Sequence, residues 1–328
     1  MFFTYLLFAR VQNEYKLLKQ AMSNYIVLVH GWVKWPKSVG LVMEYMPGGD
    51  LTQFLSTNLE IPFMRFFLRV FYELSAALAF IHDDSTHKRV VHGDLKPENV
   101  LLTSDLHCKL SDFGSAQMVA IAGFTTSHGA SQNKLDMTLA YAPPEKLKSL
   151  NIKPTKEHDT YSFGMMLYAI LSGSLPYQRP SHERAFRESI IGGERPDEES
   201  IDELKATLPE HQQQILDVLR SMMRRCWAQD PSDRPTMLEV RDELKSLLEQ
   251  QSEEAIAGEV SEMLEVVQVN IPNKEEHHFQ PLHEFSPKTG KFEQGKVSNV
   301  LNFPTFNEST EWPQRELNLC ITDKSTKC

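Results

Sequence analysis

His92-Gly93-Asp94-Leu95-Lys96-Pro97-Glu98-Asn99 and, a short way downstream, Asp112-Phe113-Gly114 are the stretches on which the reading of this sequence turns. The first sets a carboxylate, an ammonium and a primary amide close together, and the second adds another carboxylate beside a glycine. Asn99 and Asp112 offer hard oxygen donors, the type that magnesium prefers. Between the loops, Val100–Leu102 and Cys108–Leu110 read as short strands, so a hairpin would bring Asn99 and Asp112 together.

Working outward, apolar residues repeat at three and four from Phe63 onward (Phe67, Val70, Phe71, Leu74, Leu78, Ile81), which predicts a helix. Residues 89–91 read as a short strand. Further upstream, residues 26–33 and 39–46 are β-branched enough to be strands, joined by a turn at Trp35-Pro36-Lys37-Ser38 and ended by Pro47-Gly48-Gly49. Residues 11–20 read as a helix with Val11, Leu17, Leu18 and Ala21 near one face. Downstream, a loop-rich stretch runs from Asp112 to about Pro154, followed by helices around 160–171, 212–225 and 235–248. After Glu249, Ile256, Val260, Met263, Leu264 and Val267 predict one more amphipathic segment, and beyond Asn270 no periodicity is visible and a disordered tail is expected. His277, His278 and His283 do not complete a metal-ligand set.

The two loops resemble the catalytic and metal-binding loops of protein kinases. More motifs follow in order. Thr138-Leu139-Ala140-Tyr141-Ala142-Pro143-Pro144-Glu145 resembles the end of an activation segment, and Asp159-Thr160-Tyr161-Ser162-Phe163-Gly164 the central helix of a large lobe. Cys226-Trp227, Asp230-Pro231 and Arg234-Pro235 resemble the closing helices. Leu41-Val42-Met43-Glu44-Tyr45-Met46 resembles the strand and hinge that hold adenine. Taken singly, each piece has an ordinary reading as a buried Asp cap, a helix Gly or a surface Arg; their order along residues 11–248 carries the resemblance. The stretch from Tyr25 through Gly49, with the Cys226-Trp227 pair, is most similar to the receptor-interacting serine/threonine kinases of the tyrosine-kinase-like branch.

That resemblance implies an α+β, two-lobed protein kinase fold. Its small β lobe would be incomplete (residues 1–47), its mostly helical large lobe complete (48–249), and residues 250–328 a tail. It implies transfer of the γ-phosphoryl group of ATP to Ser or Thr hydroxyls of protein substrates, using magnesium. Asp94 stands where the family has its base, Lys96 where charge on the phosphoryl group is offset, and Asn99 and Asp112 where magnesium is held. Met43, Glu44, Met46, Asp50, Leu101 and Asp112 fall at nucleotide-site positions, with Met43 as gatekeeper. Asp50 binds ribose or caps the helix that follows, two alternatives that the sequence leaves level. Glu14 stands either for the glutamate that pairs with the ATP lysine or for an ordinary exposed helix glutamate. Arg234 is expected to pair with Glu145, and Asp159 to hold the backbone of the catalytic loop. Lys96 with Thr138 suits Ser/Thr acceptors, and Thr138 is expected to contact Asp94 and Lys96.

Two departures stand out. Three strands, with a glycine-rich loop and a lysine, precede the Glu14 position in the family, yet no glycine occurs here before Gly31 and no lysine before Lys16. The expectation is an incomplete product of the coding sequence, with a non-catalytic scaffold as the alternative. Gly93 replaces an arginine that usually meets a phosphate in the activation segment, so Thr125, Thr126 and Ser127 are expected to be plain loop residues. Composition excludes other classes. The chain of 328 residues is 41% hydrophobic and 24% charged, with net charge -10 and 44 acidic against 34 basic residues, which argues against a nucleic-acid partner. No apolar run reaches the roughly 20 residues of a membrane span, and the apolar start, 1–9, lacks the flank and cleavage site of a signal peptide. Scattered Cys108, Cys226, Cys320 and Cys328 suit free thiols in a cytoplasmic setting. Signalling-complex partners would be met through the tail.

Overall fold

The computed structural model describes residues 11–12, 14–19, 21–34, 39–56, 64–83, 90–115, 117–118, 139–149, 152–177, 183–270, 283–286, 291–294 and 319–323. The turn at 35–38, the acceptors Thr125, Thr126, Ser127 and Thr138, and His277, His278 and Cys328 lie outside these residues.

The chain forms an α+β, two-lobed fold with few strands in the smaller lobe. Residues 14–19 are helical (α1) and bury Leu17 and Leu18. Glu14 is buried too, 2% exposed, so its reading as an exposed helix glutamate does not hold. Strands β1 (Val29–Lys34) and β2 (Val39–Glu44) pair antiparallel, from Val29↔Met43 to Lys34↔Val39, with an irregularity between Val29 and Gly31. The first strand starts later than the β-branched run predicts. The main chain before it is engaged elsewhere: Val27 N–H donates to the Leu110 carbonyl at 3.0 Å, and Leu110 N–H to the Tyr25 carbonyl at 2.9 Å. This ties the small lobe to the hairpin that carries the loops.

In the large lobe, β3 (Gly49–Asp50) leads into the short helix α2 (Leu51–Leu55). The long helix α3 (Met64–His82) follows, with the three-and-four repeat buried as expected. Strand β4 (Val90–Val91) pairs with β7 (Gln117–Met118), while β5 (Val100–Leu102) and β6 (Cys108–Leu110) form the predicted hairpin, with β3 on the far side of β5. Helices α4 (Pro144–Lys148), α5 (Lys156–Ser172), α6 (Glu183–Ile191), α7 (Glu199–Thr207), α8 (Glu210–Cys226) and α9 (Met237–Glu249) complete the body. Every residue of α5 from His158 to Leu171 is buried, as befits a helix at the centre of a lobe rather than on its surface. It can sit there because Gly164 admits α8: a Cβ at this position would lie 2.9 Å from Cys226 Cβ and 3.0 Å from Trp227 N.

A further helix, α10 (Glu253–Asn270), is part of this body. Met263 and Val260 are buried in the common core. Glu259 Oε2 accepts the Phe66 N–H at 2.9 Å, and Glu259 Oε1 lies 2.9 Å from Arg65 Nη1. The first turn of α3 therefore has one of its otherwise orphan N–H groups capped by a carboxylate from a different helix, where the helix dipole favours negative charge. Beyond Asn270, where the sequence shows no period, strands β8 (His283–Ser286) and β9 (Lys291–Gln294) pair with each other, and β10 (Leu319–Asp323) pairs antiparallel with β2. Pairing to an open edge is made by main-chain groups and needs little from the sequence. No helix among the described residues is long and apolar enough to cross a membrane.

Candidate active site

The residues of the 92–99 loop are positioned from below by α5. Asp159, 1% exposed, accepts the His92 N–H on Oδ2 and the Gly93 N–H on Oδ1, both at 2.8 Å. His82, at the end of α3, places Nε2 2.8 Å from Asp159 Oδ2. Burial pushes the Asp159 pKa up, but the hydrogen bond and charge of His82, with His92 and the Gly93 N–H, outweigh it and hold the carboxyl below its ordinary value. The role expected for Asp159 is thus seen in the geometry. His82 was not singled out from the sequence, and no local signal could have found a partner so distant along the chain.

On this base, Lys96 Nζ lies 2.8 Å from Asp94 Oδ2. Asn99 Nδ2 donates to the Asp94 carbonyl at 2.7 Å, and the Asn99 N–H donates to the Lys96 carbonyl at 3.0 Å within the 3-10 turn Pro97–Asn99. The hairpin then brings the second loop alongside. The Asn99 carbonyl accepts both the Ser111 N–H at 2.8 Å and the Ser111 hydroxyl at 2.9 Å, which sets Asp112 next to Asn99. His92 Nε2 contacts the Ser111 carbonyl at 2.9 Å, and its ring meets Phe113 edge-on at 5.1 Å. Asp112 takes the uncommon φ of +55°, and its Oδ1 accepts the Gly114 N–H at 3.2 Å. The structure therefore gathers Asp94, Lys96, Asn99 and Asp112 into one cluster.

The remaining positions that the resemblance assigns to a nucleotide site lie on the neighbouring strand and turn. Met43 is half-buried in β2 and Met46 is buried. Glu44 turns its carboxylate to Lys109, whose Nζ lies 2.8 Å from Oε1, and to the Leu28 N–H at 2.6 Å, so its side chain is engaged within the protein. Asp50 Oδ1 accepts the Gln53 N–H at 2.9 Å as the N-cap of α2, which decides in favour of the capping alternative for that oxygen. Leu101 alternates with buried Val100 and Leu102 and is half-buried on the opposite face of the hairpin.

The donor chemistry fits magnesium. Asn99 uses its amide N–H on the Asp94 carbonyl, so Oδ1 is the atom it can present to a cation, and Asp112 presents carboxylate oxygens. No cluster of three or more His, Cys, Asp or Glu residues suited to a metal is found among the described residues. Magnesium binds typically through one or two protein ligands and completes its shell with phosphate and water.

Two further contacts brace the site. Arg234, with a side chain 0% exposed, forms the expected pair with Glu145: Nη1 to Oε1 at 2.7 Å and Nη2 to Oε2 at 2.9 Å. Lys146 Nζ donates to the Gly93 carbonyl at 2.9 Å, a contact that sequence reading missed because Lys146 follows the recognised Pro-Pro-Glu as an ordinary-looking helix lysine.

A sequence profile described as protein kinase domain matches residues 6–244. Receptor-interacting serine/threonine-protein kinase 4 of Mus musculus is 33% identical over 243 residues, 74% of this chain and 29% of its own length. Ankyrin repeat and protein kinase domain-containing protein 1 of Homo sapiens is 33% identical over 236 residues, 72% of this chain and 29% of its own length. Receptor-interacting serine/threonine-protein kinase 1 of Homo sapiens is 28% identical over 258 residues, 76% of this chain and 36% of its own length. The chain thus spans about a third of the length of these relatives.

Proposed function

The chain belongs to the protein kinase domain family, and we propose that it transfers the γ-phosphoryl group of ATP to Ser or Thr hydroxyls of protein substrates. The observation that carries this reading is the single cluster of Asp94, Lys96, Asn99 and Asp112, held by Asp159 from below and by the β5–β6 hairpin from the side. Asp94 orients the acceptor hydroxyl and takes its proton. Lys96, already paired to Asp94, places positive charge where the transferring group would gather negative charge. Asn99 and Asp112 would hold magnesium, which would supply positive charge to offset that of the phosphates. Met43, Met46, Leu101 and the main chain of Glu44 would receive the base. The serine/threonine preference is supported by the names of relatives such as the mouse protein, and by Lys96. A cytoplasmic setting is supported by the free, buried thiols of Cys108 and Cys226. Residues 1–47 make the small lobe, 48–249 the large lobe and 250–328 the tail, whose α10 packs Val260 and Met263 into the common core.

The test is phosphotransfer by the full-length protein to a Ser/Thr peptide library, beside Asp94→Asn, which keeps shape and removes the proton acceptor. The expected result is a loss of kcat of about 100-fold or more with an unchanged melting temperature. Near-normal turnover in the variant would show that Asp94 is not the base. Absence of transfer by the parent itself would favour a non-catalytic interaction module.

A further inference from the structure

We propose that Lys146 is a positioning residue of the catalytic loop, which clamps the Gly93 peptide and sets a second positive charge beside Asp94. The inference rests on the kinase reading for its activity arm, and on geometry alone for its structural arm.

Gly93 is held from two sides. Its N–H donates to Asp159 Oδ1 at 2.8 Å, and its carbonyl accepts from Lys146 Nζ at 2.9 Å. Its φ of +75° lies in the left-handed region, which glycine enters without strain. The carbonyl of Gly93 and the N–H of Asp94 belong to one rigid peptide plane. Fixing that carbonyl therefore fixes the plane from which the Asp94 side chain departs. On the far side of Asp94, the Asn99 amide fixes the next carbonyl at 2.7 Å, so the Lys146 contact completes a pair of anchors around the residue.

The charges are arranged to suit. Burial pulls the Lys146 pKa below the ordinary lysine value, while Asp94 and Asp159 nearby work against that fall and favour the ammonium, and Lys96 adds to it. The cluster thus balances two carboxylates, Asp94 and Asp159, with two ammonium groups, Lys96 and Lys146. Lys146 comes from α4, directly after Glu145, whose carboxylate is locked to the buried Arg234. A rigid ion pair thereby fixes the root of the lysine, and the lysine fixes the loop. The sequence has glycine at position 93, which offers no side-chain charge; the cation beside this backbone arrives from α4 instead.

The experiment compares the full-length parent with Lys146→Met in two assays. Hydrogen exchange at the Asp94 amide should speed up by about tenfold or more, because the peptide plane loses its anchor. In phosphotransfer, kcat should fall by about tenfold or more while KM for ATP stays within about twofold, the mark of an effect on the reacting loop rather than on nucleotide binding. If Lys146→Met does not fold, Lys146→Gln is read in the same assays with the same thresholds. Asp94 exchange within about threefold of the parent, or kcat within about twofold, overturns the proposal. If the parent transfers no phosphoryl group, the kinase reading fails, and the exchange result by itself decides the clamp.

Discussion

Replacing Glu145 by Gln isolates what the buried ion pair contributes. Arg234 is fully enclosed, with 0% of its side chain exposed, and its guanidinium lies 5.0 Å from the Tyr161 ring centre. It donates to the Ala228 and Glu157 carbonyls, each at 2.9 Å, and bidentately to Glu145. Only the carboxylate among these partners neutralises its charge. Breaking such a pair by removing one member costs about 3–5 kcal/mol, because a charge is left buried and uncompensated. The lower end applies here, about 3 kcal/mol, since Glu145 is 18% exposed and Gln keeps one acceptor oxygen. In equilibrium urea unfolding, with m of about 1–3 kcal/mol/M, the midpoint should fall by about 1 M or more. A loss under about 1 kcal/mol, the range of exposed pairs, would refute the reasoning. A second readout separates charge from packing. His158 Nε2 lies 3.2 Å from Glu145 Oε1, and its pKa is lowered chiefly by burial, with the Glu145 charge opposing that fall. Glu145→Gln should therefore lower the His158 pKa further, followed by its ring proton shifts in NMR. A rise would contradict the charge argument.

Two further perturbations probe the scaffold. Met263→Ala, at a fully buried position of α10, should cost about 2–5 kcal/mol in urea unfolding, and Glu259→Gln about 1 kcal/mol through the weakened cap of α3; a loss under about 0.5 kcal/mol for Met263→Ala would show that α10 is not part of the folded body. His107 is hydrogen-bonded to the buried Glu73 carboxylate, which raises its pKa despite partial burial and the nearby Arg69, while Asp105 adds to the rise. Its folded pKa thus exceeds the unfolded value of about 6.5, so its stabilisation is complete below that pH and is lost as pH rises through the folded value. The melting-temperature gap between the parent and His107→Asn should be widest near pH 6 and narrow toward pH 9, and a gap that widens with pH would refute the assignment.

The residues proposed to carry chemistry could be picked out together because they are local. The spacing of Asp94, Lys96 and Asn99, and of Asp112 beyond the short β5–β6 hairpin, is set within a short stretch of chain, and backbone geometry alone brings them near one another. The helices α3, α8 and α9 were legible for the same reason, since a period of three and four records which face is buried; α5 is buried on every side and has no such face. Their ends were less so: β1 begins later than its apolar run because Tyr25 and Val27 give their main-chain bonds to Leu110, far along the chain. Asp50 was ambiguous in sequence because a carboxylate before a helix serves a cap or a ligand equally well; the structure shows the cap, with the Gln53 N–H on Oδ1. Beyond this, tertiary structure alone decided which groups brace the site. Arg234 meets Glu145 across 89 residues, His82 meets Asp159 across 77, Lys146 meets Gly93 across 53, and Glu259 caps Phe66 across 193. A pattern in sequence reports whether a side chain faces inward. It does not report which buried charge waits there, because that depends on how separate helices pack, and the cost of leaving such a charge unpaired is paid only once the lobe has closed.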